Sequence, residues 1–345
     1  MGSAPKLRAT FVRGIRSRCM RPVIFFLLTL LLTLGLIGLA QGQRARMSEE
    51  QLRQSRNEWT IGLGAGPLGS LELRLSSDLQ SSLNDGDRLR LLPIITPGAL
   101  SNVDDLLYLR GMDVALTQAD VFEYFRTERG IPDLRQRVQY ITRLHNAELH
   151  IIASRSIRHF EELRGKRVSF GPAGGGAALT GPIVFQRLRM NVDDRFGSFE
   201  EEMTQLLGGE IDAVVRVSGK PIEGLDAIAK QADLHLLSLP SLQLFDDIYT
   251  LGDFTDRDYP SLVTAGEKIE TIAVPTVLAA FNWPENAERY KRLERFTREL
   301  IGQWDRLLND STSPKWRDIN PAASLAGWTR FSVAQSALSQ DRRRK

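Results

Sequence analysis

Of the soft metal ligands and common nucleophiles, the 345 residues hold one cysteine, Cys19, and four histidines. A single cysteine excludes a disulfide framework and a thiolate metal cluster. His145, His150, His159 and His235 form no i, i+4 pair and no H-E-x-x-H, so no zinc site is expected. Also lacking are a G-x-S-x-G nucleophile elbow, a Gly-Lys-Ser/Thr phosphate loop and carboxylate pairs at convincing spacing. No enzyme activity and no cofactor are expected. Excess charge is missing too. Of 45 basic and 42 acidic residues, six basic ones (Lys6, Arg8, Arg13, Arg16, Arg18 and Arg21) and no acid fall in residues 1–40. The rest of the chain is therefore at net −3, and no nucleic-acid partner is expected. The basic end at 342–345 reads as a solvated end.

Residues 23–40, VIFFLLTLLLTLGLIGLA, carry no charge. At about 1.5 Å per residue a helix of this run spans ~27 Å, just short of a ~30 Å hydrocarbon core. It is longer than a usual signal core of about 7–15 residues. Gly38 and Ala40 put small residues at the −3 and −1 positions of a cleavage site. A cleaved signal and a retained transmembrane anchor both stay open. Either leaves the basic segment 1–22 in the cytoplasm and exports the rest. Residues 41–58 read as a polar stalk.

From residue 59 the pattern alternates between strand and helix, as in a parallel sheet covered by helices. The spacing predicts a strand over 59–63 and a helix from about Ser70, with Leu71, Leu75, Leu79 and Leu83 as its apolar stripe. A second strand follows at RLRLLPII. Ser101 is expected to cap a helix closed by Gly111. A third strand is DVALTQAD, with Asp120 as N-cap of the next helix. Two strands are expected in VQYITRLHNAELHIIAS. Then the pattern repeats, with a short helix at SIRHFEELRG, a strand at 168–170, a glycine loop and a helix from Ala177. A helix at 199–207 and strands at EIDAVVRV and LHLLSLP complete that unit. ETIAVPTVLAAF returns as a strand to the first unit. One long helix is expected over 284–308, with Tyr290, Leu293, Phe296, Leu300, Trp304 and Leu307 on one face. The two units are 59–155 plus 244–345, and 156–243.

Each unit places a strand, a glycine loop and a helix start in that order, at 64–70 and 171–177. The first-turn N–H groups of a helix lack internal partners, and the helix dipole adds partial positive charge. Glycine lets a ligand approach the backbone closely. Both loops, with Gly66 in the first and Ala177 closing the second, therefore suit a carboxylate or phosphate. Residues 64–69 also fit G-x-G-x-x-G, but the second strand ends at Thr96 with no acid to hold a ribose, which disfavours a dinucleotide. Arg216, near the end of the apolar strand AVVRVSG, fits a bidentate partner of a ligand carboxylate or, alternatively, an internal salt bridge. Lys220 has a weaker version of the same case. Gln118 ends the third strand at the cleft. Tyr249 fits either a ligand contact or core packing.

Five stretches, in order over nearly all of 59–283, resemble the TAXI-type solute receptors of TRAP transporters. They are the loop at 64–70, the two halves of TPGALSNVDDLLYLRGMDVALTQAD, then SIRHFEELRGKRVSFGPAGGGAALT and LLGGEIDAVVRVSGKP. The resemblance implies an α/β, two-lobed periplasmic-binding-protein type II fold. Its cleft would close on a small organic anion or amino acid, delivered to integral membrane TRAP transporter subunits. It implies a periplasmic location, free or anchored in the inner membrane by residues 23–40. It also implies ligand contacts at Gly69, Ser70 and Leu71, at Thr96, Gly98 and Ala99, at Gln118 and Asp120, and at Gly174, Gly175 and Gly176. Leu71 stands where the family often has tyrosine, and Ala99 and Gly175 where it often has serine. Each neutral hydrogen bond so removed is worth roughly 0.5–1.5 kcal/mol net. The leading expectation is an exported receptor feeding a TRAP-type transporter. The alternative is a tethered sensory or scaffolding relative that feeds none, favoured by the missing hydroxyls. An enzyme on this fold, as in the thiamin-pyrimidine synthases, lacks support, because the sole cysteine precedes the export segment.

Overall fold

The computed structural model describes residues 48–86 and 88–344, with side chains through residue 340. The expected export segment at 23–40 and Cys19 lie outside the described residues. Among these, no helix is long and apolar enough to cross a membrane. The described part of the expected stalk is helix α1 (Glu49–Glu58), which buries no side chain. Its start is capped reciprocally: the Ser48 N–H donates to Gln51 Oε1, and the Gln51 N–H to Ser48 Oγ.

From Arg56 on, the chain builds an α/β body on a ten-stranded sheet. Its strands are β1 (Thr60–Gly64), β2 (Arg90–Ile94), β3 (Val114–Gln118), β4 (Val138–Ser154), β5 (Arg167–Ser169), β6 (Asp193–Arg195), β7 (Ala213–Ser218), β8 (Leu234–Leu236), β9 (Thr250–Thr255) and β10 (Lys268–Phe281). The order is β2-β1-β3-β10-β4-β7-β5-β6, with β8 on β4 and β9 on β10. At one end β1 runs parallel to β2 and β3; at the other, β5 runs parallel to β6 and β7. The join through β10 and β4 is antiparallel.

Two long strands make that join, β4 with 17 residues and β10 with 14. The first part of β4 pairs with β10 and its last part, 148–153, with β7. β10 pairs with β9 over 268–273 and with β3 over 276–280. The two strands expected in 138–154 are thus one. No glycine or proline interrupts that stretch, and ladder partners on both sides hold it extended. Pro275 in β10 lacks a donor, and the pairing with β4 shifts register between Pro275 and Val277.

The main helices of the body are α2 (Leu71–Leu83), α3 (Ala99–Tyr108), α4 (Ala119–Thr127), α5 (Ala177–Arg187), α6 (Phe199–Leu207), α7 (Glu288–Gly302), α8 (Trp304–Asp310) and α9 (Ser332–Arg344). The leucine stripe of α2 packs with Leu293, Phe296, Leu300 and Trp304 on the β2-β1-β3 end of the sheet. α3 and α4 contribute a separate cluster, with Val103, Leu106, Phe122 and Phe125. The single helix expected over 284–308 is two, because the chain turns at Gln303 between them. Its expected apolar face is nonetheless the buried one, Tyr290 packing at its edge.

Around the β5-β7 end, Phe245 and Tyr249 join Phe170 and Phe185, while Phe254, Tyr259, Leu262 and Val263 join Met203 and Leu206. The segment from 244 to 263, expected with the first unit, therefore packs into the core of the second. β9 carries it there, by pairing with the 268–273 half of β10. β6 was not expected either. Its sequence, Asp-Asp-Arg, is exposed and has no apolar signal.

Candidate functional site

The carboxyl ends of β1, β3, β5 and β7 converge on a cavity of about 100 Å³ at the middle of the sheet. Open α/β sheets bind ligands at this kind of place, outside the strand ends where the topology reverses.

The first wall is the loop after β1, held by backbone bonds. The Ala65 N–H donates to the Ile94 carbonyl at 3.0 Å, and the Thr96 N–H to Gly66 at 3.3 Å. Asn102, fully buried on α3, donates Nδ2 to the carbonyls of Ala65 at 2.8 Å and Leu116 at 2.6 Å. Ser70 caps α2, its Oγ accepting the Leu73 N–H at 3.2 Å.

The second wall is the loop after β5, and a buried carboxylate organises it. Glu202 Oε1 accepts the Ser169 hydroxyl at 2.7 Å and the Gly171 N–H at 2.6 Å. Its Oε2 takes Arg216 Nη1 at 3.2 Å. Burial keeps the Glu202 pKa above the usual range, although Arg216, Ser169 and Gly171 all favour its ionised form. A capping box of Ser198 and Glu201 starts α6 and so fixes where Glu202 turns inward.

The second wall touches the loop after β2, α3 and the end of β3. Gly98 sits at φ 130°, and a Cβ there would come 3.1 Å from the Gly175 Cα. Only glycine serves on both counts. The Ser101 N–H donates to the Gly174 carbonyl at 2.9 Å. Ser101 is therefore inside α3 and bonded across to the other loop, not its cap; that position is Gly98, which offers no side chain. A Cβ on Gly176 would fall 2.2 Å from Gln118 Oε1, so the end of β3 lies directly against the second loop.

Of the residues singled out from the sequence, Gly66, Gly69, Ser70, Leu71, Gly98, Ala99, Gln118, Gly175, Gly176, Ala177 and Arg216 line this cavity. Thr96, Gly174 and Tyr249 do not. Thr96 is buried and spends its N–H on Gly66. Gly174 packs on Ser101, the only fit at that spot, since a Cβ would meet Ser101 Oγ at 2.2 Å. Tyr249 is turned away and donates its hydroxyl to Asp120 Oδ2 at 3.2 Å, beside Thr180 Oγ1 at 2.6 Å. Asp120 is thus not an N-cap, a place Gln118 takes. It is a buried tie between α4, α5 and Tyr249. Burial pushes both the Asp120 carboxyl and the Tyr249 hydroxyl upward. Lys220 also points elsewhere, its Nζ on the Asp253 carbonyl at 2.6 Å and on Asp258 Oδ2 at 3.1 Å.

Three charged wall residues escaped the sequence reading: Glu72, Arg74 and Glu223. Arg74 on α2 pairs with Glu223, in the loop after β7. Glu72 lies in the first turn of α2, two residues past the cap. Burial raises its proton affinity, while its own backbone N–H, Arg216, Arg74 and Ser70 pull the other way. An acid just after a serine cap was visible in the sequence, as a complement to the helix dipole. That it faces a cavity was not. Ile222, another wall residue, is fixed by a relay: its N–H donates to the Tyr259 hydroxyl at 2.6 Å, and that hydroxyl donates to His150 Nε2 at 2.7 Å. His150 Nδ1 donates on to the Glu148 carbonyl at 2.9 Å. Burial lowers the His150 pKa to about 3, which keeps the ring neutral.

The cavity therefore offers donors on the second wall and acceptors on the first. The donors are the start of α5, which has no side-chain cap, and the Arg216 guanidinium. The acceptors are Glu72 and Gln118 Oε1. The latter belongs to a residue only 4% exposed and has no hydrogen-bond partner among the described residues.

Among solved structures, the chain is similar to the alkanesulfonate-binding protein SsuA from Xanthomonas axonopodis pv. citri bound to MOPS. Identity is 14%, over 81% of this chain and 83% of that one, with a TM-score of 0.45. It is also similar to a TctC solute binding protein from Polaromonas, at 17% identity over 75% and 86% of the two chains, TM-score 0.41. A substrate binding protein of an amino acid ABC transporter matches at 12% identity over 73% and 99%, TM-score 0.43. The family model of the NMT1-like family matches residues 72–286, which takes in the cavity lining from Glu72 to Thr276 but not the loop from Gly66 to Leu71, and the chain belongs to that family.

Proposed function

We propose that the chain is an exported solute-binding receptor. It captures a small carboxylate-type organic solute between two lobes and hands it to a TRAP-type secondary transporter; its work is binding, not catalysis. The lobes are the sheet end built on β1 to β3 and the end built on β5 to β7, with β4 and β10 as the hinge strands. One observation carries the reading. The loops after β2 and β5, from opposite ends of the sheet, meet, Gly98 against Gly175, beside a cavity lined by Gly66 to Ser70, by Gln118 with its unpartnered buried Oε1 and by Arg216. The TRAP and TAXI assignment rests on the ordered stretches of the sequence, and the periplasmic location on the basic and apolar run at 1–40.

A thermal-shift screen of the full chain against carboxylates and amino acids tests it. A ligand at 100 times its dissociation constant adds about 2.7 kcal/mol to stability. Wild type should shift with at least one compound, and Arg216→Ala should weaken that response. A second reading, a membrane-tethered sensory relative that feeds no transporter, is favoured by the missing hydroxyls at Leu71, Ala99 and Gly175, all of which line the cavity. The absence of any shift across the screen would replace the first reading with the second.

A further inference from the structure

The charges of the cavity do not balance, and the imbalance specifies the solute. Two cations stand in the wall, Arg74 and Arg216. Each is already paired, Arg74 with Glu223 and Arg216 with the buried Glu202 behind it. Glu72 remains, a carboxylate in the same small space with no ion pair of its own among the described residues. It stands beside Gly66, where a Cβ would lie 3.3 Å from the Glu72 Cβ and 2.8 Å from Ser70 Oγ. The cradle expected to receive an anion at the head of α2 is therefore furnished with the chain's own anion. Gln118 supplies an independent pointer. Its Oε1 is an acceptor without a donor, on a residue 4% exposed in the wall of the same cavity. Two acceptor-bearing residues in the wall of one cavity call for donors on the guest, and a second carboxylate beside Glu72 would meet like charge at close range.

Resting on the receptor reading, we infer that the solute is two-ended: its cationic ammonium is held by Glu72 and Gln118, and its carboxylate by Arg216 and the head of α5. Glu72 is then the residue that rejects simple carboxylic acids of the same shape. Burial makes ionised Glu72 costly when the cavity is empty, and an ammonium at that spot relieves the cost. A plain dicarboxylate has nothing to offer there.

The test is titration calorimetry of the full chain with matched compounds. L-alanine is set against L-lactate and ethylamine, and L-glutamine against its 2-hydroxy counterpart and its decarboxylated amine. Wild type should bind an amino acid at least ten-fold more tightly than either partner in its set. Glu72→Gln should erase the preference over the hydroxy acid, and Glu72→Asp should retain part of it. Both substitutions are close in shape, and a melting curve of each variant verifies that it folds. If the hydroxy acid binds as tightly as the amino acid, or Glu72→Gln keeps the preference, the inference fails and the receptor reading stands. An amine that binds as well as its amino acid overturns the two-ended class. If no compound of the set binds wild type, the inference falls, and the thermal-shift screen alone decides the receptor reading.

Discussion

The loop that opens α2 and the loop that opens α5 look alike as sequence, each a bare glycine run between a strand and a helix. The first is finished by its own side chains: Ser70 caps the helix and Glu72 occupies its first turn. The second has no side-chain cap, and the acid that serves it, Glu202, works from behind, on Ser169 and Gly171. One cradle thus presents an acceptor to the cavity and the other presents donors. A glycine loop before a helix announces an anion site only when no nearby residue of the same chain has taken the place.

The largest effect should come from stripping the support of the second cradle. Glu202→Ala leaves the Arg216 guanidinium, only 16% exposed, without its counter-charge. The expected cost is roughly 3–5 kcal/mol in denaturant unfolding. A loss below about 1 kcal/mol would show that the loop holds itself.

Next is Glu148, on β4, the strand that joins β10 to β7. Burial raises its pKa from 4.5 to about 7, against the pull of Lys315 and Lys220. The folded protein thus holds this proton more tightly than the unfolded chain. The stability it confers is fully present below about pH 4.5 and is lost as pH rises through about 7. Glu148→Gln removes the slope, so the variant should gain on wild type between pH 4 and pH 8, by on the order of 3 kcal/mol at most. Parallel unfolding curves across that range would rule this out.

Ser70→Ala should cost about 1 kcal/mol, the usual worth of a serine cap. No comparable single cap exists to remove at α5, and that is the sharpest stability contrast between the cradles. If Ser70→Ala is silent, the first cradle is not closed by its cap. The smallest effect belongs to Arg74 and Glu223, which bridge the two walls. Glu223 is 69% exposed at its side chain, so a double-mutant cycle should give about 0.2–1 kcal/mol, shrinking in salt. A coupling above 2 kcal/mol would mean that the bridge is a strong latch.

Much of the architecture was legible. The start of α2 near Ser70, its leucine stripe and the apolar face from Leu293 to Leu307 follow from residues three or four apart, whose mutual geometry a helix fixes. The glycine loops were legible for the same local reason. What escaped depends on partners far along the chain. The unbroken β4 owes its length to β10 and β7 on its two sides. The segment from 244 to 263 follows β9 into the second core. Asp120 reads as a helix cap until Thr180 and Tyr249, 60 and 129 residues away, arrive at its carboxylate.

By itself the sequence determined the alternation of strands and helices and the presence of two bare loops at helix starts. Those features rest on backbone freedom and on the short periods of regular structure. Only the tertiary structure decided that Gly98 meets Gly175, that Arg216 is answered by Glu202, and that Glu72 stands in the wall of the same cavity without an ion pair among the described residues. Burial and charge pairing are properties of a place in the fold, and residues distant along the chain build that place.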